Sequence, residues 1–265
     1  FLEEHAEICH QGCRLKSTGQ MIKALLPMHT FGHPCQIDEL LLVCQEWQLT
    51  LIEDAAESLG SLYKGKHTGT FGRFGALSFN GNKILSTGGG GMIVTGDEAL
   101  ARRAKHLTTT AKTEPAEYFH DEVGYNYRLV NVLAAIGLAQ AENFPASLAR
   151  RQTLEANYRA ALTNTGDIEF ASVLPAVTPN GWLATFSTRH MRALLQSLND
   201  AQIECRPLWV PMNRLPMYAS AKYLTNTDIC GQLYESCISI PSSNNLTDEQ
   251  QVRVIEHIQR FYKTL

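Results

Sequence analysis

Lys83 closes the stretch Ser78-Phe-Asn-Gly-Asn-Lys83, and Ile-Leu-Ser-Thr and four glycines, Gly88 to Gly91, follow at once. A lysine at the end of an apolar, strand-like run is badly placed for solubility and well placed for covalent chemistry with a carbonyl. Its amine forms a Schiff base, and partial desolvation lowers its pKa so that enough of it is neutral to attack. Upstream, Leu51-Ile-Glu-Asp-Ala-Ala-Glu-Ser58 is a second strand-like run, and it ends in carboxylates. Asp54 stands where that strand would end, and Glu57, three residues on, is placed to face the same pocket.

Each residue also has a plainer reading. Most lysines are exposed loop residues, and an aspartate after a strand is often only a turn residue. The neighbours weigh toward chemistry. Gly81 and the glycine run remove side chains where a flat ligand needs room, and the Ser78 hydroxyl suits a phosphate. A strand-end lysine with a strand-end carboxylate is the pattern expected of a pyridoxal phosphate (PLP) site. There the lysine holds the aldehyde, and the aspartate keeps the pyridine nitrogen protonated so that the ring accepts the electrons of a broken Cα–H bond.

Other motifs are weaker. The glycine run lacks the Gly-Lys-Ser/Thr ending of a P-loop and is not Gly-x-Gly-x-x-Gly, so a tight strand-to-strand connection is its expected role. His29 and His33 are four apart, but Gly32 and Pro34 oppose a helix there and no carboxylate sits at ligand spacing. They are expected to be structural or cofactor-contacting, and no metal site is expected. Glu122-Val-Gly-Tyr-Asn-Tyr-Arg128 is either a surface loop or one that reaches into a site, a neighbouring subunit's included. Arg206-Pro-Leu-Trp209 suits an anionic or ring-bearing substrate and equally suits ordinary packing.

The elements that must position these residues follow from periodicity. A short apolar run, Ala24 to Met28, precedes a breaker-rich loop from His29 to Pro34. Ile37, Leu40, Leu41, Cys44 and Trp47 recur at helical spacing, and Thr50 to Ile52 resumes as strand, which makes a βαβ unit with a parallel sheet. Strands are expected at Phe74–Phe79 and Met92–Thr95, a helix capped by Asp97, and another from Val130 to Glu142. Beyond about Pro145 the character changes: helices over Ser147–Leu162 and His190–Asn199, strands near Trp182–Ser187 and Ile238–Pro241, and a last helix opened by the capping box Thr247-Asp-Glu-Gln250. Residues 1–145 read as a large α/β domain and 146–265 as a smaller α+β domain.

The bulk numbers exclude more than they select. The chain of 265 residues, 44% apolar and 18% charged, is long enough for one large domain or two modest ones. A net charge of −3 gives no reason to expect a nucleic acid or anionic membrane as partner. No apolar run approaches membrane-spanning length, and no signal peptide is evident. Seven scattered cysteines read as reduced thiols of a cytoplasmic protein. The chain opens Phe1-Leu-Glu-Glu without an initiator methionine, and is expected to be part of a longer polypeptide.

The motifs Ile52-Glu-Asp-Ala-Ala-Glu-Ser58 with Gly60, Gly69-Thr-Phe-Gly72, Ser78-Phe-Asn-Gly-Asn-Lys83, Thr87-Gly-Gly-Gly-Gly-Met92, Gly124-Tyr-Asn-Tyr-Arg128 and Arg206-Pro-Leu-Trp209 occur in one order along nearly the whole chain. In this the chain resembles the DegT/StrS-type PLP-dependent aminotransferases of nucleotide-linked keto-sugars. The wording around Lys83 is most similar to the branch that aminates the 4-keto group of UDP-linked 2-acetamido-2,6-dideoxy sugars for surface glycans. The resemblance implies fold type I, a mainly parallel sheet flanked by helices, and a homodimer with shared sites. It implies that Lys83 carries the cofactor and relays protons, that Asp54 pairs with the pyridine nitrogen, and that Ser78 binds the phosphate. Asn126 would reach the phosphate of the partner subunit's cofactor, Glu57 stands where many members have glutamine against the ring, and Arg206 and Trp209 would meet substrate. Glutamate is the usual amino donor. Some relatives with histidine in place of this lysine are dehydratases, so Lys83 favours transamination.

Two departures stand out. In the family a segment ahead of Phe1 supplies the turn and helix N-terminus that bind the PLP phosphate, plus an aromatic group stacked on the ring. A chain without them is expected to lose phosphate affinity, which keeps a catalytically inactive fragment, alongside a PLP-dependent sugar dehydratase, as the alternatives to an active aminotransferase. The connection between Trp182 and His190 is also short, as if deleted.

Overall fold

The computed structural model describes residues 1–114 and 116–265. They separate into one unit of Phe1–Leu148 with Val173–Trp182 and another of Ala149–Ser172 with Leu183–Leu265.

The first unit opens with a short helix, α1 (Leu2–His5), and an antiparallel hairpin of β1 (Ala6–Cys9) and β2 (Gly12–Leu15) that the periodicity did not announce. Gly12, at φ +113°, supplies the backbone conformation that closes it. Next come β3 (Ala24–Leu25), α2 (Ile37–Glu46) and β4 (Thr50–Asp54), with β3 and β4 parallel, as the βαβ reading requires. α2 buries Ile37 and Cys44 against Leu51 of β4. The small hairpin of β5 (Leu62–Tyr63) and β6 (Lys66–His67) turns through Lys64 and Gly65, both at positive φ, the signature of a tight two-residue turn.

Strand β7 (Phe74–Ser78) pairs parallel with β4, and β8 (Gly91–Val94) pairs antiparallel with β7, so the sheet order is β3-β4-β7-β8. Close approach explains the last glycine of the run: a Cβ on Gly91 would lie 2.3 Å from the Leu77 carbonyl oxygen. The run is therefore the return from Lys83 into β8. Asp97 caps α3 (Glu98–Thr108) by accepting from the Ala99 and Leu100 N–H groups. A hairpin of β9 (Lys112–Glu114) and β10 (Phe119–His120) follows, then α4 (Asn131–Glu142) and α5 (Phe144–Leu162), whose residues from Ala149 onward count with the second unit.

After β11 (Glu169–Phe170), the chain returns to the first unit, where β12 (Val177–Thr178) pairs with β5. The rest of the second unit is β13 (Ala184–Ser187), α6 (Met191–Asp200), β14 (Arg206–Pro207), α7 (Ile229–Ser236), β15 (Cys237–Ile240) and α8 (Asp248–Lys263). Its sheet, β11-β13-β15-β14, is antiparallel throughout. The short Trp182–His190 connection thus carries β13, an interior strand of that sheet. Tyr158, Leu194, Leu198 and Ile258 reach from the helices into a core that also holds Phe186 and Ile238 of the strands. Thr247 and Gln250 form the expected capping box of α8. Among the described residues no helix is long and apolar enough to cross a membrane, and all seven cysteines are free.

One side chain ties the first sheet together. Burial alternates along β4, with Leu51 and Glu53 inside and Thr50, Ile52 and Asp54 half-buried. Glu53 is fully buried, and one of its oxygens accepts from the N–H groups of Phe71 and Gly72, both at 2.7 Å. The other accepts from Gly69 N–H at 2.7 Å and pairs with His29 Nε2 at 3.0 Å. His29 is fully buried too, and its Nδ1 accepts from Cys35 N–H at 3.2 Å. Burial pushes the Glu53 pKa up, but the bonds from His29, Gly72, Gly69 and Phe71 outweigh it and hold the carboxyl below its ordinary value. A group depressed in this way stabilises the fold above the ordinary carboxylate range, and that contribution fades as pH falls through its folded value. Glu53→Gln puts an amide NH2 against N–H donors, and is expected to cost about 3–5 kcal/mol at neutral pH. Urea titrations should show the cost, and a cost that shrinks toward acid pH.

Candidate active site

Asp54 ends β4 at the carboxyl edge of the parallel strands, the edge at which open α/β sheets bind ligands. Its backbone is held on both sides: its N–H donates to Pro27 O at 2.9 Å and its carbonyl accepts from His29 N–H at 3.0 Å. Its Oδ1 accepts from Ala56 N–H at 3.1 Å, so the turn that the sequence suggested is present and the carboxylate stands at the strand end.

Three residues later, Glu57 is anchored by the backbone opposite. One carboxylate oxygen accepts from Phe31 N–H at 2.7 Å, and the other lies 3.9 Å from Lys83 Nζ. Phe31 occupies the left-handed region at φ +54°, rare for a bulky residue, and this conformation aims its N–H at Glu57.

Lys83 sits in a turn closed by its own N–H to Asn80 O at 3.0 Å. Its side chain is 13% exposed and that of Glu57 9%. Burial lowers the Lys83 pKa, and the carboxylates of Glu57 and Asp54 oppose this without cancelling it. Burial likewise raises Glu57, against the Phe31 N–H and the Lys83 charge, while Asp54 adds to the rise. Each partner is thus drawn toward its neutral form, because desolvation outweighs an attraction acting over 3.9 Å. The amine gains nucleophilic character by the same physics.

The cleft around Lys83 is lined by Glu57, Ser78, Ile84, Asn180 and Trp182 among others. Ser78 ends β7, with its hydroxyl accepting from Asn80 N–H at 3.3 Å. Two residues that sequence reasoning passed over complete the wall. Asn180 donates through Nδ2 to the carbonyls of Glu57 at 2.8 Å and Leu59 at 2.9 Å, and its N–H donates to Ser61 Oγ at 3.1 Å. Trp182, almost fully buried, lays its ring beside the Lys83 amine. An Asn-Gly-Trp tripeptide in a loop of breakers was the available signal, since a large aromatic in such a loop needs somewhere to bury.

Asp54, Glu57, Ser78 and Lys83 therefore gather at one end of one sheet. Asn126 does not share their cleft lining. It is exposed, bridges to Thr109, and stands in the chain between Tyr125 and Tyr127, whose rings stack on each other with centroids 5.2 Å apart. Arg206 and Trp209 belong to the second unit; both are exposed, and Arg206 pairs with Glu204. His29 is taken up by Glu53. The described residues do bring His106, Asp121 and Glu122 within ligand reach of one another, but both Glu122 oxygens already meet the Arg103 guanidinium, whose charge opposes a cation.

A half-buried amine, two carboxylates at a strand end and a nearby hydroxyl fit what a phosphorylated pyridine aldehyde requires: a nucleophile, a partner for a protonated ring nitrogen and a donor to the phosphate.

Residues 14–259 match the DegT/DnrJ/EryC1/StrS aminotransferase family. EpsN of Bacillus subtilis is 38% identical over 94% of this chain and 66% of its own length. GDP-perosamine synthase of Escherichia coli O157:H7 is 37% identical over 91% of this chain and 66% of its own. The crystal structure of DesV of S. venezuelae in complex with a ketimine intermediate superposes with a TM-score of 0.85 at 29% identity, covering 92% of this chain and 66% of that one. The chain spans about two thirds of the length of these relatives.

Burying an amine costs stability. Where the folded pKa lies below the unfolded one, the unfolded chain holds more protons, so stability rises with pH up to the ordinary lysine range. Lys83→Met is therefore expected to raise the urea midpoint at neutral pH. The gain should narrow as pH approaches the ordinary lysine pKa; a gain that is absent, or constant with pH, would contradict the desolvated-amine reading.

Proposed function

The chain belongs to the DegT/DnrJ/EryC1/StrS aminotransferase family, and from that membership and the Lys83 site we propose a PLP-dependent transfer of an amino group to a nucleotide-linked keto-sugar. The carrying observation is the half-buried Lys83 amine beside Glu57 at the carboxyl edge of the parallel strands. The fold is type I, as the superposition on DesV supports.

Bound there, PLP would supply the electron sink for breaking a Cα–H bond. The remaining chemistry falls to this chain. Lys83 would hold the cofactor's aldehyde carbon covalently and, once released, take and return the proton at Nζ, a task suited to an amine with a lowered pKa. Asp54 would keep the pyridine nitrogen protonated, and Glu57 would stand against the ring. The Ser78 hydroxyl would donate to the phosphate. Arg206 and Trp209 are proposed to meet the sugar nucleotide, a cation and a ring suited to phosphate and base.

The finer reading is amination of the 4-keto group of a deoxy-sugar, with glutamate as donor, for surface-glycan synthesis in the cytoplasm. The name of GDP-perosamine synthase supports a nucleotide sugar as substrate, and the seven free cysteines suit a reducing compartment. A homodimer with Asn126 reaching the partner's cofactor completes the proposal. It is supported by an apolar face in the first unit: α4 buries no residue although Val132 and Leu138 are 72% and 64% exposed, and Met92 and Ile93 of β8 are more than half exposed. The large-domain role is assigned to residues 1–145 and the small-domain role to 146–265.

The test is to mix the purified chain with PLP, reduce with borohydride and locate the adduct by peptide mass. A phosphopyridoxyl group on Lys83 is expected, and it should disappear in Lys83→Met. An adduct found only on a version extended at the N-terminus would make this chain an inactive piece of the same enzyme. No adduct on either would overturn the PLP reading. With cofactor bound, ammonia release without an amino donor would point to a dehydratase.

A further inference from the structure

Lys83 Nζ lies 3.7 Å from the centroid of the Trp182 ring. Trp182 is 1% exposed, so this ring face is desolvated, the setting in which cation–π attraction is strongest. The edge of the same indole is tied to the lysine's own turn: its Nε1–H donates at 2.7 Å to the carbonyl of Asn82, the residue just before Lys83. The ring is anchored in turn to the loop that carries Glu57. Trp182 N–H donates to Asn180 Oδ1 at 3.0 Å, while Asn180 Nδ2 donates to the Glu57 carbonyl at 2.8 Å. Gly32 makes room for this lock, since a Cβ there would lie 1.8 Å from Asn180 Oδ1.

We propose that Trp182 is a positioning residue for Lys83, its indole face holding the resting side chain as an ammonium beside Glu57 and its Nε1–H fixing the Asn82–Lys83 turn. The inference rests on Lys83 being the reactive amine. The charged groups facing that amine are Glu57 and Asp54; Ser78 and Asn180, which line the same cleft, are uncharged. Burial opposes the ammonium and the two carboxylates favour it without cancelling burial, so the ring face adds to the side that favours the charge. An amine lifted from the ring loses that support and gives up its proton more readily, which suits attack on a carbonyl.

The test follows the pH dependence of Lys83 labelling by trinitrobenzenesulfonate, located by peptide mass, on the whole chain without cofactor. In Trp182→Leu the labelling midpoint should move to lower pH. The neutral amine fraction at a fixed pH below the midpoint should rise about threefold to tenfold. Trp182→Phe keeps a ring face and should fall between. A faster plateau at high pH with an unmoved midpoint would mean that the ring only shields the amine, and would overturn the proposal. Should Trp182→Leu fail to fold, a second readout decides. Indole emission of the wild-type chain should titrate with the Lys83 labelling midpoint and lose that titration in Lys83→Met; a wild type lacking it also overturns the proposal. Neither readout needs pyridoxal phosphate, so failure to bind that cofactor and failure of this inference are separate results.

Discussion

The Glu53 carboxylate is the constraint on which the first unit depends. Four donors converge on it: the imidazole of His29, and the N–H groups of Gly69, Phe71 and Gly72. Those donors come from the loop after β3 and from the turn before β7, while Glu53 itself lies on β4 between them. A buried carboxylate without partners is prohibitively costly, so the three segments can close together only in the arrangement that satisfies it. Asp54, the next residue, then stands at the strand end by alternation, with its backbone bonded to Pro27 and His29. The residue that holds the sheet and the residue proposed to meet the cofactor are neighbours on opposite faces of one strand.

A second constraint runs against stability. Lys83 and Glu57 are each mostly buried and 3.9 Å apart, too far for a tight bond, and burial draws both toward neutrality. A fold under selection for stability alone would bond them directly or replace them with apolar side chains. The left-handed Phe31, whose N–H occupies one Glu57 oxygen, shows backbone strain accepted at the same place. The local cost and the lowered pKa of the Lys83 amine have a common origin in desolvation.

The segment 173–182 shows how tertiary structure recruits a stretch with little local character. Its Pro, Thr and Asn content reads as loop, and it forms only the two-residue β12. Yet it crosses back to the first unit, where Asn180 satisfies the carbonyls of Glu57 and Leu59 and Trp182 covers Lys83. Nothing in the period of its side chains announces this, because the bonds of Asn180 to Glu57 and Leu59 run to residues more than a hundred positions away.

The sequence alone determined what local periodicity and local chemistry encode. The βαβ order around α2, the strands on either side of Lys83, the Asp97 cap and the Thr247–Gln250 capping box are all short-range patterns. Lys83, Asp54, Glu57 and Ser78 were legible because each ends or follows a strand-like run, and parallel pairing of β4 with β7 brings such ends together. The short strands of the first hairpin and of β5 and β6 were not legible, since two to four residues carry too little pattern to separate strand from loop. The burial of Glu53 and His29, the lock of Asn180 against Gly32, and the seat of Trp182 over Lys83 were decided only by the tertiary structure. A charged or polar side chain reads as surface until its distant partners are in place, and those partners are backbone N–H donors and carbonyl acceptors that every residue carries and no sequence distinguishes.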